Sequence, residues 1–170
     1  LRTGDAPLFV QVFNPPKRMI VVGAVHIAQP LVTLAQTAGY EVVIIDPRGA
    51  FATRDRFPGV TLSEDWPDDA LNALAIDNRT AVVTLTHDPK LDDPGLEVAL
   101  KSDAFYIGAL GSRNTHAERV SRFIEDGIGE ADVKRIKGPL GISMGSRNPP
   151  EIAISLVAEV LMTYREKFPV

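Results

Sequence analysis

The chain has 170 residues, 45% hydrophobic and 24% charged, which suits one globular domain large enough to bury a core. A net charge of -4, with 18 Lys and Arg that form no long run, leaves no electrostatic footprint for a polyanion, so nucleic acid is not an expected partner. Cysteine is absent, which removes disulfides, thiolate metal sites and thiol catalysis from this chain. The start has no signal-peptide pattern and no apolar run reaches the roughly 18 residues of a membrane span, so the expected compartment is the cytoplasm.

Along the chain, short runs rich in Val and Ile alternate with longer stretches whose apolar residues recur at helical spacing, the rhythm of βαβ units. The fold expected is α/β: a doubly wound, mostly parallel sheet with helices on both faces. Residues 8–13 alternate weakly and stop at Asn14, Pro15 and Pro16; they read as an edge strand or the remnant of a linker, with the domain proper running from 16 to 170. A strand over 19–22 leads to a helix over 27–38, with Ile27, Leu31, Leu34, Ala35 and Ala38 on one face and Gly39 as its stop. Four consecutive β-branched residues within 41–45 predict a strand buried on both faces, closing on Asp46, Pro47, Arg48 and Gly49. A short strand over 60–62, a helix over 68–75 and a strand over 81–85 follow, the last running into Thr86, His87, Asp88 and Pro89. Pro94 reads as the opening of a helix to about 102, then come a strand over 104–107 and a helix over 114–126 stopped by Gly127. Residues 138–145 form a glycine-rich strand or loop, and Asn148 with Glu151 makes a capping box for a last helix to 164.

The stretch FYIGALGSRNTH, 105–116, carries the densest chemistry. At the carboxyl end of a buried strand, Gly108 and Gly111 let the backbone lie close to a ligand, and the helix that follows offers free N–H groups, the Ser112 hydroxyl and the Arg113 guanidinium to an anion. The alternative is a plain strand-to-helix connection with Ser112 as N-cap and Arg113 exposed. Earlier, GAVHIA at 23–28 followed by Asp46 matches the register of a dinucleotide-binding turn, with Gly23 at the first position and Asp46 placed to meet a ribose hydroxyl or to cap its own loop. Val25 stands where the second glycine belongs, so the Rossmann-like fold signal is kept while ordinary NAD(P) binding is weakened. His26, His87 and His116 would all lie near the carboxyl edge of such a sheet, but no zinc-like spacing joins them and no metal site is assigned. Arg48, Arg54, Arg56, Arg113 and Arg147 fall in loops or helix starts after strands, where a guanidinium fork suits phosphate. Arg113 and Arg147 stand out because each follows a Gly-Ser pair, and the two GSRN loops at 111–114 and 145–148 could clamp one ligand from two sides. No residue is assigned a catalytic role.

GAVHIAQPL, VIIDPRGAFATRDRFP, TLTHDPKLDDP, SDAFYIGALGSRNTHAERV and GPLGISMGSRNPPEIAISLVAEV, in this order, resemble the XdhC/CoxI family of accessory factors for xanthine dehydrogenase and carbon monoxide dehydrogenase, from about 16 to 164. The resemblance implies a Rossmann-like C-terminal domain and a maturation role: binding molybdenum cofactor, as molybdopterin or its dinucleotide form, and assisting its delivery to a molybdenum hydroxylase. Further candidate partners are a sulfur-transfer enzyme and a second copy of the chain, since dimers are common in this kind of fold. The phosphate of molybdopterin suits helix N-termini and arginines. Family members usually read GAGH where this chain has GAVH, and longer members carry a domain before the Rossmann part. Two other readings stay open: an NAD(P)-binding oxidoreductase or nucleotide sensor, and an interaction domain whose crevice is vestigial.

Overall fold

Six parallel strands form the sheet, and the hydrophobic pattern of their residues explains why it is covered on both faces. In chain order they are β1 (Lys17–Val22), β2 (Tyr40–Ile45), β3 (Thr61–Ser63), β4 (Thr80–Thr84), β5 (Tyr106–Ala109) and β6 (Ile136–Lys137). They lie side by side as β3-β2-β1-β4-β5-β6, the order of the doubly wound dinucleotide-binding folds. β1 pairs with β2 from Lys17↔Tyr40 to Val22↔Ile45 and with β4 from Arg18↔Thr80 to Val22↔Thr84. The computed structural model describes residues 15–169 and, ahead of them, 2–3, 6–7 and 11. Arg2–Thr3 and Ala6–Pro7 make a separate antiparallel pairing; the strand expected over 8–13 lies, except for Gln11, outside the described residues.

Side chains alternate across each strand. Met19, Val21, Val42, Ile44, Ala81 and Val83 point to a core shared with α1 (Ala28–Thr37) and α6 (Pro149–Lys167). Ile20, Val22, Val43, Ile45 and Val82 point to the other core, closed by α2 (Pro67–Ala73), α3 (Pro89–Leu100), α4 (Arg113–Glu125) and α5 (Glu130–Val133). The α/β class and the helices on both faces are therefore as the sequence leads one to expect. Full burial of an aliphatic or aromatic side chain is worth about 1.5–3 kcal/mol, and α4 shows what that secures. It is polar along most of its length, and Phe123 anchors it in the second core.

Several boundaries move. α3 starts one turn and a half before Pro94: the Asp88 side chain accepts from the Lys90 amide at 3.0 Å, Pro89 takes the first helical position, and Pro94 lies inside the helix. The N-cap set the start, and packing of Leu91, Leu96 and Ala99 carries the helix through a proline that removes one hydrogen bond. β5 runs to Ala109, so Gly108 is a strand residue. β6 precedes the glycine-rich segment, which is a loop. At two residues, β6 leaves no periodicity to read, and the same holds for four-residue α5. The capping box of α6 is present, with the Glu151 amide donating to Asn148 Oδ1 at 3.0 Å and Asn148 Nδ2 donating to Glu151 Oε1 at 2.9 Å.

The β1–α1 turn is tightly packed against the turn after β4. Gly23 has φ +106°, and a Cβ there would stand 2.6 Å from Thr86 Cγ2 in the turn after β4. Gly23→Ala is therefore expected to lower unfolding free energy by about 1–3 kcal/mol, read as a reduced denaturant midpoint at unchanged slope.

Candidate site at the carboxyl edge of the sheet

Every β–α turn of a parallel sheet opens at the same edge, and the free N–H groups of the following helices point there. At the β1–β2 side, the Asp46 carboxylate is fully buried and accepts four hydrogen bonds. Oδ2 takes the Ala24 amide at 2.8 Å and Arg48 Nη2 at 2.8 Å; Oδ1 takes the Arg48 amide at 3.0 Å and Arg48 Nε at 2.8 Å. Burial works to raise its pKa, but the hydrogen bonds from Arg48 and Ala24 and the Arg48 charge outweigh it and hold the carboxyl below the usual carboxylate range. Arg48 lies with its guanidinium carbon 4.6 Å from the centre of the Phe51 ring. Asp46 and Arg48, candidates for ligand contact, are thus engaged first with each other and with the β1–α1 turn. The carboxylate that a ribose would need is already spoken for on both oxygens, and Val25 is half-buried against the first core.

At the β5–α4 side the glycines divide. Gly108 is buried within β5, and a Cβ on it would fall 2.6 Å from Tyr106 Cε1, so this glycine makes room for the Tyr106 ring beneath it and not for a ligand. Gly111, at φ +153°, turns the chain out of the strand with the Thr115 side chain 3.2 Å from its notional Cβ. Ser112 is the N-cap of α4: its Oγ accepts from the Thr115 amide at 3.1 Å and lies 2.9 Å from Thr115 Oγ1. Arg113 is exposed, and among the described residues no carboxylate pairs with it. Both elements of the plain connection are therefore present, and a cavity lies beside them.

That cavity, about 370 Å³, is lined by Leu110, Gly111 and Arg113 on one side and by the loop from Pro139 to Ser146 on the other. The loop is held from below. Glu159 Oε2 of α6 accepts the Tyr106 hydroxyl at 2.5 Å and the Gly141 amide at 2.8 Å, joining β5, the loop and the helix through one carboxylate oxygen. Burial first, then the bond to Glu159, pushes the Tyr106 hydroxyl well above its ordinary pKa, so it stays a donor. The two GSRN segments meet across this cavity only in part: Gly145 and Ser146 line it, whereas Arg147 is exposed off the lining and gives its amide to Glu151 Oε2 at 2.7 Å.

Between these sides, a buried ion pair joins two turns that sequence reasoning left unlinked. Asp92 Oδ1 accepts from Thr86 Oγ1 at 2.7 Å and Oδ2 from the His87 amide at 3.1 Å; Oδ2 lies 3.9 Å from Arg119 Nη2, which donates to the Leu110 carbonyl at 3.2 Å. Burial raises the Asp92 carboxyl above its ordinary range despite these partners. His87 holds φ +62° with its ring exposed, and His26 is exposed in the β1–α1 turn. His116 packs elsewhere: its Nδ1 would meet a Cβ on Gly138, and burial, then Arg119, lowers its pKa. Nothing in the sequence pairs Asp92 with Arg119, because the partners lie on different helices. A second, larger cleft of about 730 Å³ opens beyond β2 and β3, where Arg54, Phe57 and Glu64 line it. The smaller cavity is the better ligand candidate, because the start of α4 lines it, whereas the residues lining the larger cleft include no helix start.

A glycine turn at the end of the first strand, the 3-2-1-4-5-6 order and helix starts gathered at one edge define a Rossmann-like domain. The chain belongs to the XdhC Rossmann domain family, which it matches over residues 19–160. It is 31% identical over 157 residues to a Bacillus subtilis protein named as a probable subunit of xanthine dehydrogenase, covering 92% of this chain and 46% of that protein. It is 32% identical over 148 residues to the molybdenum cofactor insertion chaperone PaoD of Escherichia coli, covering 87% of this chain and 40% of PaoD. The crystal structure of a xanthine dehydrogenase from Bacillus halodurans superposes with a TM-score of 0.77 at 30% identity, over 91% of this chain and 44% of that one. The chain therefore spans less than half the length of these relatives. Among the described residues no helix is long and apolar enough to cross a membrane.

The Asp46 ion pair has a pH signature. Its folded pKa is depressed, so its stabilisation is present above the unfolded value near 3.8 and is lost as pH falls through the lower folded value. Asp46→Asn should cost about 2–3 kcal/mol at neutral pH. The gap between variant and wild type should narrow as pH falls below about 3.8 in chemical denaturation measured across pH.

Proposed function

We propose that this domain holds molybdenum cofactor, as molybdopterin or its dinucleotide form, by its phosphate end, and serves in the maturation of a xanthine dehydrogenase-type or carbon monoxide dehydrogenase-type molybdenum hydroxylase. The observation that carries the proposal is the cavity between the start of α4 and the Pro139–Ser146 loop, into which a helix N-terminus and the unpaired Arg113 both open. Ser112 consumes the Thr115 amide by capping, and the preceding amides of the first turn remain to meet phosphate oxygens, with Arg113 supplying a guanidinium fork. Gly111 allows the backbone to pass close to the ligand. In this reading His26 and His87, exposed in the turns after β1 and β4, stand further along the same edge, where Gly23 turns the chain and the Asp46–Arg48 pair holds the turn after β2. Relatives named for molybdenum cofactor insertion and for xanthine dehydrogenase support the choice of ligand and client. A sulfur-transfer enzyme and a second copy of the chain are compatible partners of the same reading. The domain acts here by binding, orienting and shielding its cargo, which arrives and leaves intact, and no side chain is assigned a chemical step.

Equilibrium dialysis against molybdopterin, with the retained pterin oxidised and quantified by fluorescence, tests the reading. Arg113→Ala should weaken retention about tenfold, the scale of a lost charge-assisted hydrogen bond. Arg147→Ala, off the cavity lining, should leave retention unchanged. Equal retention by wild type and Arg113→Ala would remove Arg113 from the site, and no retention by wild type would overturn the binding role of this chain.

A further inference from the structure

The cavity at the carboxyl edge has two chemically distinct sides. Gly111 and Arg113 give it a polar side at the start of α4, whereas Leu140, Ile142, Met144 and Ile152 give it an apolar one. Leu140 is buried, but Ile142 is 37% and Met144 54% exposed. A single apolar side chain in water is ordinary and asks for no explanation. Two on one short loop, both lining the same cavity, leave apolar surface that a bound molecule can cover.

The backbone under this surface is fixed. The Leu140 amide donates to the Ala109 carbonyl at 3.3 Å, the Gly141 amide to Glu159 Oε2 at 2.8 Å and the Ile142 amide to the Ser155 carbonyl at 3.2 Å. Gly141, at φ +90°, runs so close to α6 that a Cβ on it would stand 2.5 Å from Ser155 Oγ. Ile142 is therefore set by β5 and α6 together. Met144 follows two residues on, and its unbranched thioether side chain can settle against a surface of varied shape, with sulfur favouring contact to a ring. Of the other methionines, Met19 is buried in the first core, and Met162 is 53% exposed on α6, outside the cavity lining.

We propose that Ile142 and Met144 receive the planar ring system of the ligand, so that the cavity selects a phosphorylated heterocycle over a phosphate carried on a sugar or polyol. The inference rests on the phosphate position proposed at the start of α4 and assigns the other end of the same ligand. The volume of about 370 Å³ falls within the range of small-molecule sites, roughly 300–1,000 Å³. A sugar would set its hydroxyls against Leu140, Ile142 and Met144, where they lose water and gain no hydrogen bond. A flat ring covers the same side chains with its faces and keeps its polar atoms at the edge, where Ser143, also on the cavity lining, offers a hydroxyl.

Binding of 6-hydroxymethylpterin phosphate, followed by its own fluorescence, with ribose 5-phosphate as a ring-free competitor, provides the test. Wild type should bind the pterin phosphate at least about tenfold more tightly than the sugar phosphate. Met144→Ser and Ile142→Ser should each weaken the pterin phosphate about three- to tenfold and leave the sugar phosphate within about twofold of wild type. Arg113→Ala should weaken both ligands about tenfold. Met162→Ser, at an equally exposed methionine off the cavity, should leave both unchanged. Equal binding of the two ligands by wild type, or wild-type affinity in both loop variants, would overturn the ring contact. So would loss of both ligands to the same degree in the loop variants, which marks a distorted loop. Loss confined to the loop variants, with Arg113→Ala unaffected, would keep the ring contact and remove the phosphate position, so the two readings fail separately. Binding of neither ligand by wild type would overturn both.

Discussion

Burial of β1 on both faces is the constraint that organises this domain. Met19, Ile20, Val21 and Val22 have no exposed surface, and each needs apolar neighbours on its own side of the sheet. β2 and β4 supply them in register, and helices must then close both faces, since a parallel sheet cannot leave either one to water. Once the strands are parallel and β1 is central, all turns that can carry a ligand leave from one edge. The divergence of the chain on either side of β1 and β4 opens the crevice there. The close approach of Gly23 to Thr86 is a direct consequence, because adjacent strands end at the same height and their turns must pass each other.

Charges at that edge fall into two groups with different physical roles. Asp46, Asp92 and Arg119 are buried, and a buried charge is tolerated only where partners replace its lost hydration. Asp46 does this for the β1–α1 and β2 turns, and Asp92 with Arg119 for the turns after β4 and β5. Asp46 and Asp92 spend their hydrogen-bonding capacity inside the protein and hold loop geometry, whereas Arg119 gives one bond, to the Leu110 carbonyl, and its Nε and Nη1 have no hydrogen-bond partner among the described residues. Arg113 is exposed and pairs with no carboxylate among the described residues, so its guanidinium is not consumed in holding the turns. The loop that completes the cavity is steadied by Glu159, which ties its Gly141 amide to the Tyr106 hydroxyl of β5 and so links cavity shape to the α6 packing face.

The two edges of the sheet differ in the groups they present. At the carboxyl edge, backbone N–H groups and a glycine loop enclose a volume, which suits a small ligand. At the amino edge, the Lys17 ammonium stands over the Tyr40 and Tyr164 rings.

Alternation of Val and Ile runs with amphipathic stretches determined the class of fold from the sequence alone, because burial on two faces leaves a continuous apolar signature that no other arrangement of short strands requires. The N-cap of α4 at Ser112 and the capping box of Asn148 with Glu151 were legible for the same reason: both are local, settled within four residues. The motif order was long enough to point to the family. What depended on distant parts of the chain was not legible. Gly108 looked like a ligand glycine until β5 was seen to continue through it and the Tyr106 ring to occupy the space. The start of α3 lay hidden behind the stronger signal of Pro94. The partners of Asp46 across the β1–α1 turn, of Asp92 on α4, and of Tyr106 on α6 are set by how helices pack on the sheet. The sequence by itself determined the rhythm of elements, their caps and the chemistry available at the rim; only the tertiary structure decided which of those groups were consumed in holding the turns and which were left for a ligand, because that choice is made by contacts between residues far apart in the chain.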